Sequence, residues 1–227
     1  MERKEAIRSA YRMTGENSFY DGMITCSTLS GKAVCRLVWA MNKAENDDYL
    51  EKALSGIPEN FSGRLLEVPV GTGVLTMPVY QTLPKADITC LDYSPDMMKQ
   101  AQEKAERLHL KNVTFRQGDV GALPYEDGSF DIVLSLNGFH AFPDKEAAYR
   151  EVFRVLKPGG TFCGCFYIKG KHKRTDWFVR HIYEKAGFFT PPYETVSSLK
   201  ARLDGMYTDV DMGNLKSMVW FVCRKAG

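Results

Sequence analysis

The chain has 227 residues, and its 30 basic and 28 acidic side chains leave a net charge of +2, too small to favour binding to nucleic acid or to an anionic membrane. Apolar residues make up 44% of the sequence, as in ordinary globular proteins. No apolar run reaches the roughly 20 residues of a membrane helix, and the charged N-terminus lacks the pattern of a signal peptide, so we expect a cytoplasmic protein without a membrane partner.

Residues 1–60 show helical patterns and no strand pattern. Residues 17–22 look like a loop, and residues 32–43 are apolar on most faces, as in a packed helix. Asn46 is placed to cap a further helix that has acids in its first turn. We therefore predict an N-terminal helical cap over residues 1–60 and a separate domain over residues 61–227.

Strand and helix patterns alternate beyond Arg64, which is typical of a doubly wound α/β sheet with parallel strands. Two late strands indicate an antiparallel hairpin at one edge of that sheet. The predicted strands cover residues 65–68, 86–92, 112–117, 130–136, 161–168, 207–211 and 217–224, and the predicted helices cover residues 94–108, 143–156, 176–186 and 196–204.

The stretch LLEVPVGTGVLTM, residues 65–77, joins the first strand to the first helix through Gly71-Thr72-Gly73. Glycines in such a turn let the backbone approach a ligand closely, and a helix start offers free N–H donors. A dinucleotide site would need a third glycine where this chain has Thr76, so the dinucleotide fingerprint fails. The turn is therefore predicted to bind a different nucleotide-like ligand.

Three acids follow or end the first three strands, at the edge where such sheets bind ligands. Asp92 lies 19 residues beyond Gly73, where a carboxylate can take both hydroxyls of a ribose. Asp119 can accept a hydrogen bond from an adenine amino group, while the N–H of Val120 meets a ring nitrogen. Glu67 precedes the glycine turn. Each acid alone could be a cap or loop residue, but the three together indicate an adenosine site.

The six cysteines contain no CxxC pair, so we expect no zinc site. Cys163 and Cys165 alternate along a predicted strand and share one of its faces. We interpret the cysteines as small buried residues in a reducing compartment, in preference to a redox or metal role.

Four motifs in order resemble the class I S-adenosylmethionine-dependent methyltransferases, over roughly residues 60–224. The segment from Glu67 to Gly73 resembles the family's acid-x-G-x-G-x-G motif, and LDYSPDMM, QGDVGALPYEDGSFD and EVFRVLKPGGTF resemble the next three. The chain is similar above all to the small-molecule branch that includes ubiquinone and menaquinone methyltransferases. One departure is Pro69 at the first motif glycine. Proline lacks the N–H but keeps its carbonyl, so we interpret it as a subfamily variant.

This resemblance implies a seven-stranded sheet, S-adenosyl-L-methionine as cofactor and a small-molecule methyl acceptor, in a monomer or homodimer. It also implies the cofactor-binding residues, which are Glu67, Pro69, Val70, Gly71, Thr72, Gly73, Asp92, Tyr93, Asp119 and Val120. The resemblance places Ser135 to Pro143 beside the sulfonium and the acceptor. There Asn137 is expected to hold the cofactor or orient the acceptor, and His140 is either a general base or a structural residue.

Residues 1–60 are expected to fold over the ligand edge and complete the acceptor pocket, with Tyr20 as a contact to the cofactor. Methyl transfer runs on proximity and alignment, so the absence of a certain base does not weaken the interpretation. The basic run at residues 169–174 could steer an anionic substrate or RNA, but a solvated loop is the favoured interpretation.

Two alternatives remain open. The first is a methyltransferase acting on RNA or protein, which a broad basic face or an RNA-binding module would favour. The second is a module that binds S-adenosylmethionine without catalysis, which a blocked transfer channel beside an intact adenosine pocket would favour. A dehydrogenase is a poor third, given Thr76.

Overall fold

The computed structural model describes residues 19–227, in which seven strands form one sheet of order β3-β2-β1-β4-β5-β7-β6. The first five strands are parallel, β7 is antiparallel to β5, and β6 is antiparallel to β7. The prediction of a mostly parallel sheet with an antiparallel edge hairpin is confirmed. The strands are β1 Arg64–Glu67, β2 Asp87–Asp92, β3 Val113–Gln117, β4 Phe130–Leu136, β5 Leu156–Tyr167, β6 Asp209–Leu215 and β7 Met218–Arg224.

The helices cover both faces of the sheet. Apolar side chains of α3, α4 and α5 pack on one face, and those of α6 and α8 pack on the other. The described helices are α1 Phe19–Ile24, α2 Leu29–Leu37, α3 Lys43–Leu54, α4 Thr76–Tyr80, α5 Pro95–Arg107, α6 Lys145–Val155, α7 Lys173–Phe178 and α8 Val196–Met206; Val120–Ala122 form a 3₁₀ turn and Val179–Tyr183 a π-helical turn.

The strand order places a switch point between β1 and β4. From β1 the chain runs outward to β2 and β3, then returns to pair β4 with the other side of β1. The crossovers leave on opposite faces, so a crevice opens at the carboxyl ends of these two strands. The residues after Glu67 and after Leu136 therefore meet at one place.

Local signals predicted several elements well. The Ser94 hydroxyl caps α5 by accepting from the Met97 N–H at 3.3 Å, and β4 has the predicted bounds. Residues 157–160, which lie between the predicted helix and the predicted strand, form a bulge in β5, because Phe130 pairs with Leu156 whereas Ile132 pairs with Thr161.

Two expectations for the N-terminal region are wrong. The predicted loop at residues 17–22 overlaps α1, which includes Asp21. Asn42, not Asn46, caps α3, because it shares reciprocal hydrogen bonds of 3.0 and 2.8 Å with Glu45 and so satisfies two N–H groups at once. Asn46 is buried and its amide donates to the Ile24 carbonyl at 3.4 Å, which ties α3 to α1. The domain boundary at residue 60 stays a prediction.

One pair of cysteines departs from the expectation of free thiols. Cys26 and Cys35 are buried as expected, but they form a disulfide with Cα atoms 6.3 Å apart. Thr28 begins α2 by accepting from the Gly31 N–H at 3.0 Å, and the chain reversal before it brings Cys26 back against the helix. A continuous helix would have separated the two by roughly 13 Å. The other four cysteines are buried, as expected.

Candidate active site

The glycine turn between β1 and α4 has the backbone conformation that its sequence predicts. Gly71 and Gly73 have φ angles of +57° and +66°, in the left-handed region that glycine adopts without strain. A Cβ on Gly71 would meet nothing within 4 Å, so this backbone faces open space. A Cβ on Gly73 would lie 2.9 Å from Met77 and 3.0 Å from Ala101, so this glycine lets the turn pack against α4 and α5.

Asp92, at the carboxyl end of β2, holds the turns on both sides of it. One carboxylate oxygen accepts from the Gly71 N–H at 2.7 Å and the other from the Ser94 N–H at 2.8 Å. Burial raises the pKa of this carboxyl above its usual range. The Gly118 N–H donates to the Asp92 carbonyl at 3.0 Å, which brings the turn after β3 alongside.

The other predicted adenosine residues lie on the same edge. Asp119 is exposed and its carboxylate accepts from the Gly121 N–H at 2.8 Å, whereas Val120 is buried. Tyr93 is 76% exposed, and its carbonyl accepts from the Gln117 side chain at 3.2 Å. The edge therefore presents an aromatic ring and a carboxylate next to Asp92.

Glu67 lies beneath the glycine turn and is only 1% exposed. Its carboxyl accepts from the Tyr80 hydroxyl at 2.8 Å and lies 3.6 Å from the Cys90 sulfur. Burial raises the pKa of Glu67 to about 8, so this carboxyl is mostly protonated at neutral pH. Its neighbours in sequence, Leu65, Leu66 and Val68, are apolar, in line with this burial.

Pro69 packs against the turn that follows β4. The Val68–Pro69 peptide bond is cis, and a Cβ on Gly138 would lie only 2.4 Å from Cδ of Pro69. Asn137 has a φ of +56°, a conformation that asparagine tolerates better than most residues, and its N–H donates to the Cys165 carbonyl at 2.7 Å. These contacts hold the predicted reaction segment against the glycine turn.

Two adjoining cavities lie at the crevice. A small one of about 70 Å³ lies at the glycine turn, and its lining includes seven predicted residues, namely Glu67, Pro69, Val70, Gly71, Thr72, Gly73 and Asn137. A large one of about 690 Å³ has a mainly apolar wall that includes Val38, Trp39, Tyr183 and Phe189. Ile24 and Asn137 line both cavities, so these two residues mark where the small cavity meets the large one.

His140 lines the large cavity and is buried. Its ring stacks on Phe189 at a centroid distance of 3.9 Å, and its Nδ1 accepts from the Tyr167 N–H at 3.2 Å. Burial, with a smaller effect of Lys145, lowers the pKa of His140 to about 3. The ring is therefore neutral with its proton on Nε2. In this form Nε2 can donate a hydrogen bond, but the lowered pKa makes the ring a poor general base.

A buried ion pair joins α1 to the cofactor edge, and sequence reasoning missed it. The Asp21 carboxylate accepts from the Thr72 hydroxyl at 2.5 Å and lies 3.0 Å from the Lys104 ammonium, both charged side chains being 5% exposed. Tyr20 belongs to the same helix, but its side chain lies outside the described residues. Asp21, Thr72 and Lys104 come from three elements, so no local pattern connects them.

Comparisons with known proteins show which family the chain belongs to. A family described as "Methyltransferase domain" matches residues 62–190. A demethylmenaquinone methyltransferase of Thermus thermophilus is 41% identical over 97 residues, which cover 43% of this chain and 44% of that protein. The corresponding protein of Listeria welshimeri is 36% identical over 153 residues, 60% of this chain and 64% of that protein. The chain thus spans less than two thirds of either relative.

Solved structures share the fold at low identity. A putative methyltransferase from Bacillus halodurans has a TM-score of 0.64 at 16% identity, and the match covers 79% of this chain and 99% of that one. An S-adenosylmethionine-dependent methyltransferase from Thermotoga maritima has a TM-score of 0.59 at 19% identity, covering 78% and 89% of the two chains. With a family match over more than half of its length, the chain belongs to the methyltransferase-domain family and has the fold of the class I S-adenosylmethionine-dependent methyltransferases.

Proposed function

We propose that the protein transfers a methyl group from S-adenosylmethionine to a ring-containing, largely apolar small molecule. The observation that carries this proposal is the junction of the two cavities at Ile24 and Asn137. A small cavity at a nucleotide-type turn and a large apolar cavity meet there, as a group transfer between two bound molecules requires. The protein is proposed to act in the cytoplasm, as a monomer or homodimer, without nucleic acid.

The residues at the glycine turn fit the proposed cofactor. The open space before Gly71 leaves room for a ligand against the backbone, and Asp92 and Asp119 offer carboxylates along the adjoining strand ends. S-adenosylmethionine would supply an activated methyl group. Asp92 would bind the ribose, Tyr93 and Val120 would bind the adenine together with Asp119, and the turn would hold the methionine part.

The acceptor class is inferred from the wall of the large cavity. Trp39 lies 6.0 Å from Tyr183 and 6.2 Å from Phe189 between ring centroids, so an aromatic cluster faces the acceptor space. Such a wall binds flat rings and aliphatic tails well. The relatives named for demethylmenaquinone and for 2-methyl-6-phytyl-1,4-hydroquinone support an acceptor of hydroquinone type.

Two polar residues would orient the ring of the acceptor. The Asn137 side-chain amide and Nε2 of His140 have no hydrogen-bond partner among the described residues, and both residues line the acceptor cavity. His140 would donate from Nε2 to a ring oxygen. Asn137 would keep that ring in line with the methyl group at the junction. The transfer would then depend on alignment, with α1 and α2 closing the cavity from the N-terminal side.

The direct test is methylation of a hydroquinone. The full chain is incubated with methyl-labelled S-adenosylmethionine and a 1,4-naphthohydroquinone bearing a short isoprenoid tail, and mass spectrometry then locates the label. Labelled hydroquinone is the expected product. Label found in an RNA or protein fraction but never in the hydroquinone would contradict the proposal, and so would binding of NADH without binding of S-adenosylhomocysteine.

Asp92→Ala is expected to weaken S-adenosylhomocysteine binding by about 1–3 kcal/mol, because it removes a carboxylate that would accept charge-assisted hydrogen bonds from the ribose. Calorimetry measures the change. Asp87→Ala is the matched control, since Asp87 is an exposed acid at the opposite end of the same strand. If the two variants bound S-adenosylhomocysteine with equal affinity, Asp92 would not be part of the cofactor site.

Ala141→Phe is expected to block the acceptor while sparing the cofactor. Ala141 lines the large cavity and not the small one, so an added ring fills acceptor space only. Methylation of the hydroquinone should fall more than about tenfold, with S-adenosylhomocysteine affinity unchanged, as expected when only acceptor positioning is lost. Ala44→Phe, at an exposed site of α3, serves as control. Full activity of Ala141→Phe would place the acceptor elsewhere.

A further inference from the structure

The mouth of the large cavity is apolar and exposed. Ile182 and Phe188 line the cavity, yet they are 47% and 60% exposed, so they lie where it opens to solvent. Leu37 and Trp177, which are 59% and 53% exposed, directly adjoin the lining residues Val38 and Phe178. Exposed large apolar side chains gathered at one opening mark an interaction surface.

These side chains come from two segments that lie side by side. The Arg174 guanidinium donates to the Arg36 carbonyl at 2.9 Å, and the Thr175 hydroxyl donates to the Val38 carbonyl at 2.6 Å. Leu29, which is 86% exposed, stands two helical turns before Leu37 on the same side of α2. We call this surface, formed by the outward sides of residues 29–37 and 173–188, the entrance face.

Positive charge surrounds the apolar residues. Together with the adjoining loop, residues 27–40 and 169–189 carry eight basic and two acidic residues, although the whole chain has 30 and 28. All eight basic residues are exposed. The two acids turn inward, since Asp176 accepts from the Tyr167 hydroxyl at 2.8 Å and Glu184 from the Tyr193 hydroxyl at 3.1 Å. The rest of the chain therefore has an excess of acids, and the entrance face is strongly positive.

The net charge of the whole chain gave no reason to expect a membrane partner, but the charge is unevenly distributed, and we propose that the entrance face docks on the surface of an anionic lipid bilayer. The large cavity would then open toward the membrane interior. Aliphatic and aromatic side chains ringed by lysine and arginine match the interfacial region of such a bilayer, with Trp177 at headgroup depth. RNA offers no counterpart for Leu29, Leu37 and Ile182, which favours lipid. No described helix is long and apolar enough to cross a bilayer, and surface docking needs none.

Vesicle flotation of the full chain tests this proposal independently of any methylation. The protein should float with vesicles containing phosphatidylglycerol, should bind phosphatidylcholine vesicles far less, and should be released by high salt. Trp177 emission should shift to the blue on binding, and Trp177→Phe should lose most of that shift. The proposal would be overturned if the protein bound neither kind of vesicle, or if it bound both kinds equally at low and at high salt concentration.

Two pairs of substitutions locate the contact. Leu37→Ser with Trp177→Ser, and separately Lys173→Gln with Arg180→Gln, should each reduce vesicle partitioning about tenfold or more. The control is Lys99→Gln with Lys111→Gln, two exposed lysines on the side of the sheet that ends in β3. Unchanged S-adenosylhomocysteine binding verifies folding. Sedimentation velocity tests the alternative that the entrance face binds a second copy of the chain. A dimer that the two serine substitutions abolish, in a protein that does not bind vesicles, would overturn the proposal.

Discussion

Asp21→Asn is expected to lower the free energy of unfolding by about 3–5 kcal/mol, because it removes the negative partner of a buried ion pair. The Lys104 ammonium lies 3.0 Å from Asp21, its side chain is 5% exposed, and no other anion pairs with it among the described residues. Asparagine can still accept the Thr72 hydrogen bond, so the loss reports on the charge. Urea denaturation measures the global change, and hydrogen exchange of the α1 amides detects helix release that leaves the sheet folded.

A double variant separates charge from shape. Asp21→Leu with Lys104→Met removes both charges and should recover much of the lost stability, since an ion pair replaced by apolar groups is often neutral. Asp204→Asn breaks an exposed pair with Lys200, 2.8 Å apart, and should leave stability unchanged within error. If Asp21→Asn were as stable as wild type, with α1 equally protected from exchange, the ion pair would not hold α1 on the glycine turn.

Glu67→Gln is expected to make the protein more stable than wild type at pH 8, with little difference near pH 4.5. The pKa of the buried carboxyl is raised from 4.5 to about 8, so the folded protein keeps a proton that the unfolded chain has released. Wild-type stability therefore falls as pH rises from about 4.5 to 8. Each pKa unit of the rise from 4.5 to about 8 corresponds to about 1.4 kcal/mol, and the folded group is half ionised at pH 8, so the difference there should reach roughly 4 kcal/mol.

Glutamine keeps an oxygen for the Tyr80 hydroxyl and cannot ionise, so it should flatten this part of the pH profile. Urea denaturation at pH values between 4.5 and 9 measures it. Glu45→Gln provides the opposite case, since its hydrogen bond with Lys216 lowers the pKa of Glu45. Parallel profiles for wild type and Glu67→Gln would mean that Glu67 ionises normally in the folded protein.

The parts of the fold that could be predicted are those set by neighbours in sequence. A strongly apolar run predicted β4, and the Ser94-Pro95 start predicted α5, because strand burial and helix capping act over a few residues. α1 was expected to be a loop. The helix contacts the glycine turn through Asp21, which accepts from Thr72 at a separation of 51 residues.

The candidate site also has a part that the sequence predicts and a part that it does not. Gly71 and Asp92 stand in a turn and at a strand end, positions that motif spacing predicts, and they contact each other as a nucleotide edge requires. The large cavity is lined by side chains from α2, the turn after β4 and the π-helical turn, which share no sequence spacing. His140 illustrates the limit, because the sequence left open a general base or a structural residue, whereas burial and the Tyr167 N–H favour a neutral ring with its proton on Nε2.

The strand order also bears on whether two copies of the protein can pair along the edges of their sheets. A sheet that does not close leaves β3 and β6 as outer strands, and outer strands are templates for lateral growth with another copy. β6 carries Asp209 and Asp211 as exposed carboxylates at alternate positions, and β3 carries exposed Arg116. Two copies of β6 placed edge to edge would bring like charges together. These carboxylates therefore oppose fibre-like stacking of the sheet through the β6 edge.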